Sequence, residues 1–191
     1  MANITAAAVN ELRKRTGVGM MDCKKALVEC DGDMDKAIDY LREKGQKLAA
    51  KRADRDASEG AVLATVNADK TFAAVIMMNC ETDFVAKNED FVAFTREVLQ
   101  TAVDAKAKSL EEVMALTING LSVETMIVEQ VAKIGEKITL SHYYPIEAVA
   151  TYAYVHPGNR MASVVGLSKA GYDEEGKEIE ISVGFDMEED T

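Results

Sequence analysis

The spacing of apolar residues shifts from helical to strand-like near Ala61, and that change rules out both an all-helical and an all-strand fold. Before it, Ala8, Val9 and Leu12, then Met21, Ala26 and Leu27, then Ala37, Ile38 and Leu41 recur at helical spacing. Thr5 is placed to cap the first helix, Gly17 and Gly19 to stop it, Asp33 to cap the third and Gly45 to end it. After the change, AVLATV and FAAVIMM flank NADK, whose Asn and Asp supply turn chemistry, and the three segments read as a β-hairpin. The expected class is therefore α+β, with a small three-helix module leading an antiparallel sheet-and-helix core.

The remaining segments fill in that scheme. QKLAAKRADRDASEG alternates charge but is rich in helix formers, so 46–60 reads as a solvated helical linker after a module at 1–45. Residues 61–136 form a first core subdomain. In it, the polar stretch NCETDFVAKNEDF follows the hairpin, Asn88 caps a helix carrying Phe91, Phe94, Val98, Leu99 and Val103, and Ser109 with Glu112 makes a capping box. Ser122 with Thr125 marks another helix start, running through Ile127, Val131 and Ile134 to Gly135. KITLSHYYPI, ATYAYVH and MASVVGLSKA are three further strands, with HPGNR as a turn; they assign 137–191 to a second, incomplete core subdomain ending in an acidic tail.

Charge and composition narrow the functional classes. The net charge is −11, yet 12 of the 22 basic residues and only 10 of the 33 acidic ones lie in residues 1–56, so the two parts of the chain face different partners. A long acidic body argues against direct nucleic-acid binding, which depends on neutralising phosphates. The longest apolar run, Phe72 to Met78, is far shorter than the roughly 20 residues of a spanning helix, and no membrane is expected. The N-terminus places its cationic cluster after its apolar residues and does not read as a signal peptide, so the expected location is cytoplasmic. Cys23, Cys30 and Cys80 form no CxxC pair, and two distant histidines complete no metal cluster; neither disulfides nor cofactors are expected.

No phosphate-cradling, nucleophile-elbow or metalloprotease motif is present, and the chain is not expected to be an enzyme. Cys23 has no base set near it in sequence, and Glu81 with Asp83 is a carboxylate pair without accompanying groups. Two segments stand out instead for recognition. In TGVGMMD, adjacent Met20 and Met21 cannot both face a helical core, so one is expected exposed as an adaptable contact. In TDFVAKN, Phe84 beside Asp83 has the composition of an interface anchor, although a loop phenylalanine folded into its own core is the commoner outcome.

ELRKRTGVGMMDCKKAL (Glu11 to Leu27), NCETDFVAKN (Asn79 to Asn88) and VAKIGEKI (Val131 to Ile138), in that order, resemble the elongation factor Ts family. The resemblance covers roughly Met1 to Ala170. It implies an N-terminal module similar to ubiquitin-associated domains, followed by two related core subdomains. The implied activity is guanine-nucleotide exchange on elongation factor Tu, bound both with GDP and nucleotide-free, by a factor that holds no nucleotide itself. By position, Arg13, Met20, Met21 and Lys24 would contact the GTPase domain. Thr82, Asp83, Phe84 and Val85 would press beside its Mg²⁺ and phosphate site, Ile134 and Gly135 would add contacts, and His156 would approach a later domain.

The match deteriorates beyond Ala170, where EIEISVG alternates like a strand although the family continues into helices. Val164, Val165 and Leu167 are accordingly expected to be exposed, which favours self-association. The rival readings are a non-exchanging interaction fragment that binds a partner or pairs with itself, and a thiol enzyme using Cys80. Exchange requires an exposed Phe84, and the thiol reading requires an accessible Cys80 beside a base.

Overall fold

The computed structural model describes residues 4–168. Helices α1 (Ala6–Thr16), α2 (Met20–Glu29) and α3 (Met34–Arg52) lead into strands β1 (Glu59–Val66) and β2 (Phe72–Cys80). Helices α4 (Asp83–Ala86), α5 (Glu89–Asp104) and α6 (Leu110–Ala115) follow, then the short strands β3 (Thr117–Ile118) and β4 (Leu121–Ser122). Helix α7 (Val123–Ile134) and strands β5 (Thr139–Glu147), β6 (Ala150–Val155) and β7 (Ala162–Leu167) complete an α+β chain. The described residues divide into two compact units: one comprises residues 4–57 together with Glu124–Ile138, the other Ser58–Val123 together with residues 139–168.

In the first unit, Val9, Leu12, Val18, Cys23, Ala26, Leu27, Ala37 and Leu41 make one buried cluster, against which Ala132 of α7 packs. The caps are local. Thr5 Oγ1 accepts from the Ala8 amide at 3.2 Å and Asp33 Oδ1 from the Lys36 amide at 3.1 Å, while Gly17, at φ 68°, closes α1. Gly45 does not end α3 as expected; the helix continues to Arg52. The reason is packing: a Cβ on buried Gly45 would stand 3.0 Å from the Ala132 Cβ and 3.3 Å from the Val128 carbonyl, so this glycine lets α7 approach. Residues 46–52 are thus the end of α3 rather than a separate linker helix. Lys137 Nζ then donates to the Ala53 and Arg55 carbonyls at 2.7 and 2.9 Å, satisfying groups just past the helix end.

In the second unit, β1 and β2 form the expected antiparallel hairpin, in register from Glu59 opposite Cys80 to Val66 opposite Ala73. Asn67 Oδ1 ties the turn by accepting from the Thr71 and Phe72 amides at 3.0 and 2.9 Å. The sheet order is β1–β2–β5, so β2 is central and buried almost throughout, which explains its unbroken apolar sequence. The expectation that KITLSHYYPI opens a separate second sheet is corrected here: β5 pairs with β2 and completes the first sheet, with a bulge opposite Met77 and Met78. The β6–β7 hairpin packs against β1 and β2. Helix α5 lays Phe91, Phe94, Val98, Leu99 and Val103 into the core. Ser109 caps α6 as expected, its Oγ accepting from the Glu112 amide at 3.2 Å, but the reciprocal bond of a capping box is displaced by one residue: Glu112 Oε2 accepts from the Lys108 amide at 2.7 Å rather than from that of Ser109.

Val164, Val165 and Leu167 are half-buried rather than exposed, because they lie on a hairpin packed against the sheet. The exposed apolar side chains nearby are Tyr144, Val149, Tyr152 and Tyr154. The acidic tail and its EIEISVG segment lie outside the described residues.

Candidate functional site

Strand β2 ends at Cys80, and the next residues make a helical turn held at both ends. Thr82, extended at φ −125° and ψ 151°, caps α4 by accepting from the Val85 amide. Asn88 then starts α5, its Oδ1 accepting from the Asp90 and Phe91 amides at 2.9 and 3.3 Å. Within four residues the side chains sort by the geometry of a single turn: Ala86 is buried, Val85 is half-buried, and Phe84 is 84% exposed. The phenylalanine therefore does not fold back into its own core.

Asp83 Oδ2 accepts from Lys87 Nζ at 2.7 Å across one turn, and this bond from Lys87 holds the Asp83 carboxyl below its ordinary range. Asp83 is thus half of an ion pair with Lys87. Lys87 is the residue that sequence reasoning missed; its i, i+4 spacing from Asp83 was the available signal. Cys80 is buried, and its Sγ donates to the Thr82 carbonyl at 3.2 Å. A buried thiol engaged with backbone does not meet the accessibility that a thiol mechanism demands. Cys23 is likewise buried, with its Sγ donating to the Val18 carbonyl at 3.4 Å, and burial raises its pKa.

The other candidates fall on several surfaces. In the first unit, Arg13 lies in the last turn of α1, while Met20, Met21 and Lys24 begin α2, all four exposed. Both methionines stand out, at 51% and 69% exposure, where only one was expected to. Val18 supplies the buried residue of that loop instead, pinned as its amide donates to Thr16 Oγ1 at 3.3 Å. In the same unit Ile134 is half-buried at the end of α7, and Gly135 closes that helix at φ 82°, its amide donating to the Val131 carbonyl at 2.8 Å.

In the second unit His156 is exposed at the β6–β7 turn, with Nδ1 3.0 Å from the Tyr154 hydroxyl. That turn is anchored to β1: the Val62 amide donates to the Asn159 carbonyl at 2.8 Å, and Arg160 pairs with Glu59 at 3.0 Å. The structure thus brings Thr82, Asp83, Phe84 and Val85 together with Lys87 on one turn, and groups Arg13, Met20, Met21 and Lys24 at one helix–helix junction.

Residues 81–184 match the family model described as Elongation factor TS, and residues 1–49 match that described as Elongation factor Ts, mitochondrial, N-terminal. Elongation factor Ts of Christiangramia forsetii is 52% identical over 181 residues, spanning 94% of this chain and 65% of that protein. Those of Flavobacterium johnsoniae and Rhodopirellula baltica are 50% and 47% identical over 168 and 174 residues, 88% and 91% of this chain. The chain spans only 52% and 53% of those two relatives. With one family model matching more than half of its length and relatives about half identical along most of it, this chain belongs to the elongation factor Ts family.

Proposed function

We propose that this chain binds elongation factor Tu and promotes release of GDP from it, a step of translation elongation carried out without catalytic chemistry of its own. The observation that carries the reading is Phe84, 84% exposed on a turn capped at both ends. Keeping a phenylalanine in water forgoes about 1.5–3 kcal/mol of burial, and a capped turn holds it at little further entropic cost on binding. Such a side chain is built to enter another protein's pocket.

An exchange factor accelerates GDP release only if it binds the nucleotide-free GTPase more tightly than the GDP-bound one, and by linkage GDP then loosens the factor by the same ratio. Phe84 acts as the wedge that the nucleotide-free pocket accepts, with Asp83 beside it competing for hydrogen bonds near the Mg²⁺ and phosphate groups. Arg13, Met20, Met21 and Lys24 form a second contact on the GTPase domain. Met20 and Met21 supply polarizable apolar surface there, and the two cations supply steering. Ile134 and Gly135 add a smaller contact.

Release of a fluorescent GDP analogue from elongation factor Tu, with and without the chain, tests the reading; acceleration supports it. Exposed Tyr144, Val149, Tyr152 and Tyr154 favour a second reading, a fragment that binds a partner or itself without exchange. Binding to elongation factor Tu, or dimerisation, with GDP release unchanged would select that one.

A further inference from the structure

The second unit carries a cleft of about 330 Å³ lined by β1, α5 and the β6–β7 turn. Its floor is apolar, from Leu63, Leu99 and Val155, and its polar lining includes Arg96, Gln100 and His156. No carboxylate lines it, although 33 of the 191 residues are acidic. Arg96, exposed on α5, makes no hydrogen bond or ion pair among the described residues. In a chain of net charge −11, a guanidinium that has no partner among the described residues and stands at an apolar cleft is available to an external one.

The surroundings are already fixed. Gln100 Nε2 donates to Asp104 at 2.9 Å and its Oε1 accepts from the Thr65 hydroxyl at 3.3 Å, so that wall is tied from α5 to β1. The His156 amide donates to the Met161 carbonyl at 2.9 Å, and the Asn159 amide returns to the His156 carbonyl at 3.0 Å. The Tyr154 hydroxyl stands 3.0 Å from His156 Nδ1, which leaves Nε2 as the ring nitrogen with no partner among the described residues.

The geometry points to this cleft as the receptor for a carboxylate side chain flanked by an apolar one on a protein partner. Arg96 clamps the carboxylate through charge-assisted hydrogen bonds, His156 Nε2 adds a second polar contact in the tautomer that carries its proton there, and Leu63 with Leu99 receives the apolar neighbour. The volume, at the small end of ligand pockets, suits one or two side chains. The inference rests on the proposed function for the partner's identity, elongation factor Tu, and extends it from contact at His156 to a defined chemistry of recognition.

Two probes test it separately. The first is N-acetyl-Leu-Glu-amide titrated into the ¹⁵N-labelled chain, with N-acetyl-Leu-Gln-amide as the uncharged control. The glutamate peptide is expected to shift the amides of Thr65, Gln100 and Asn159 and to bind about tenfold more tightly than the control. Arg96→Gln is expected to erase that difference and Arg96→Lys to keep part of it; the exposure of Arg96 keeps both variants folded. Equal binding of the two peptides, or shifts confined to other residues, would overturn the inference.

The second probe is elongation factor Tu itself. Arg96→Gln is expected to weaken its binding about tenfold at low salt and less at high salt, whereas unchanged affinity would overturn the assignment. A chain that selects the glutamate peptide yet does not bind elongation factor Tu supports the cleft's chemistry and refutes the exchange reading instead.

Discussion

Replacing Phe84 by alanine separates folding from function, because the structure assigns the side chain almost wholly to solvent. At 84% exposure the ring gives little to the protein's own core, so Phe84→Ala should change folding stability by less than about 0.5 kcal/mol. Seated in a partner's pocket, the same ring would bury most of its roughly 150–200 Å² of apolar surface, worth about 2–3 kcal/mol. That corresponds to a loss of roughly 30- to 150-fold in binding to nucleotide-free elongation factor Tu. The assay is release of the fluorescent GDP analogue at a chain concentration below saturation, run beside urea melts of both proteins. Phe84→Leu, which keeps part of the apolar area, should fall between the two. A variant that releases GDP as fast as the parent with an unchanged melt would refute the wedge, and one that unfolds would refute the assignment of Phe84 to solvent.

The other expectations are structural or bear on the second contact. A Cβ on Gly60 would run into the Met78 carbonyl across the β1–β2 pair, so Gly60→Ala should lower stability by about 1–3 kcal/mol in urea melts. Asn88→Ala removes the acceptor for two amides at the start of α5 and should cost about 1 kcal/mol, and it should also slow exchange by loosening the turn that carries Phe84. Tyr143 donates its hydroxyl to the Ala107 carbonyl at 2.9 Å, and burial pushes its pKa up to about 12. Its contribution to stability is therefore complete below the unfolded value near 10 and is lost as pH rises toward 12; Tyr143→Phe should flatten that part of the stability profile. Replacing both Met20 and Met21 by alanine should leave the melt nearly unchanged and weaken binding to elongation factor Tu, as titration calorimetry would record.

The sequence alone determined those features whose physics closes within a few residues. Thr5, Asp33, Asn88 and Ser109 each cap a helix through an amide two or three residues on, so composition at fixed spacing suffices to find them. The β1–β2 hairpin was legible for the same reason, through Asn67 and the turn after it. Asn119–Gly120, both at positive φ, carries an equally local hairpin signal and joins β3 to β4 just before α7.

Only tertiary structure decided the rest. Gly45 has the look of a helix terminator, yet α7, brought back from 78 or more residues later in the chain, makes it a point of close approach. Strand β5 carries no mark of its partner in its own residues, and pairing with β2 follows from a central strand whose second edge needed hydrogen bonds. The candidate site divides along the same line. The identities at Thr82 to Val85 could be read along the chain, whereas the exposure of Phe84 depended on which side of a four-residue turn faced the sheet. The cleft beside Arg96 exists because α5, β1 and the β6–β7 turn converge across the fold, a proximity set by packing that no spacing in the sequence encodes.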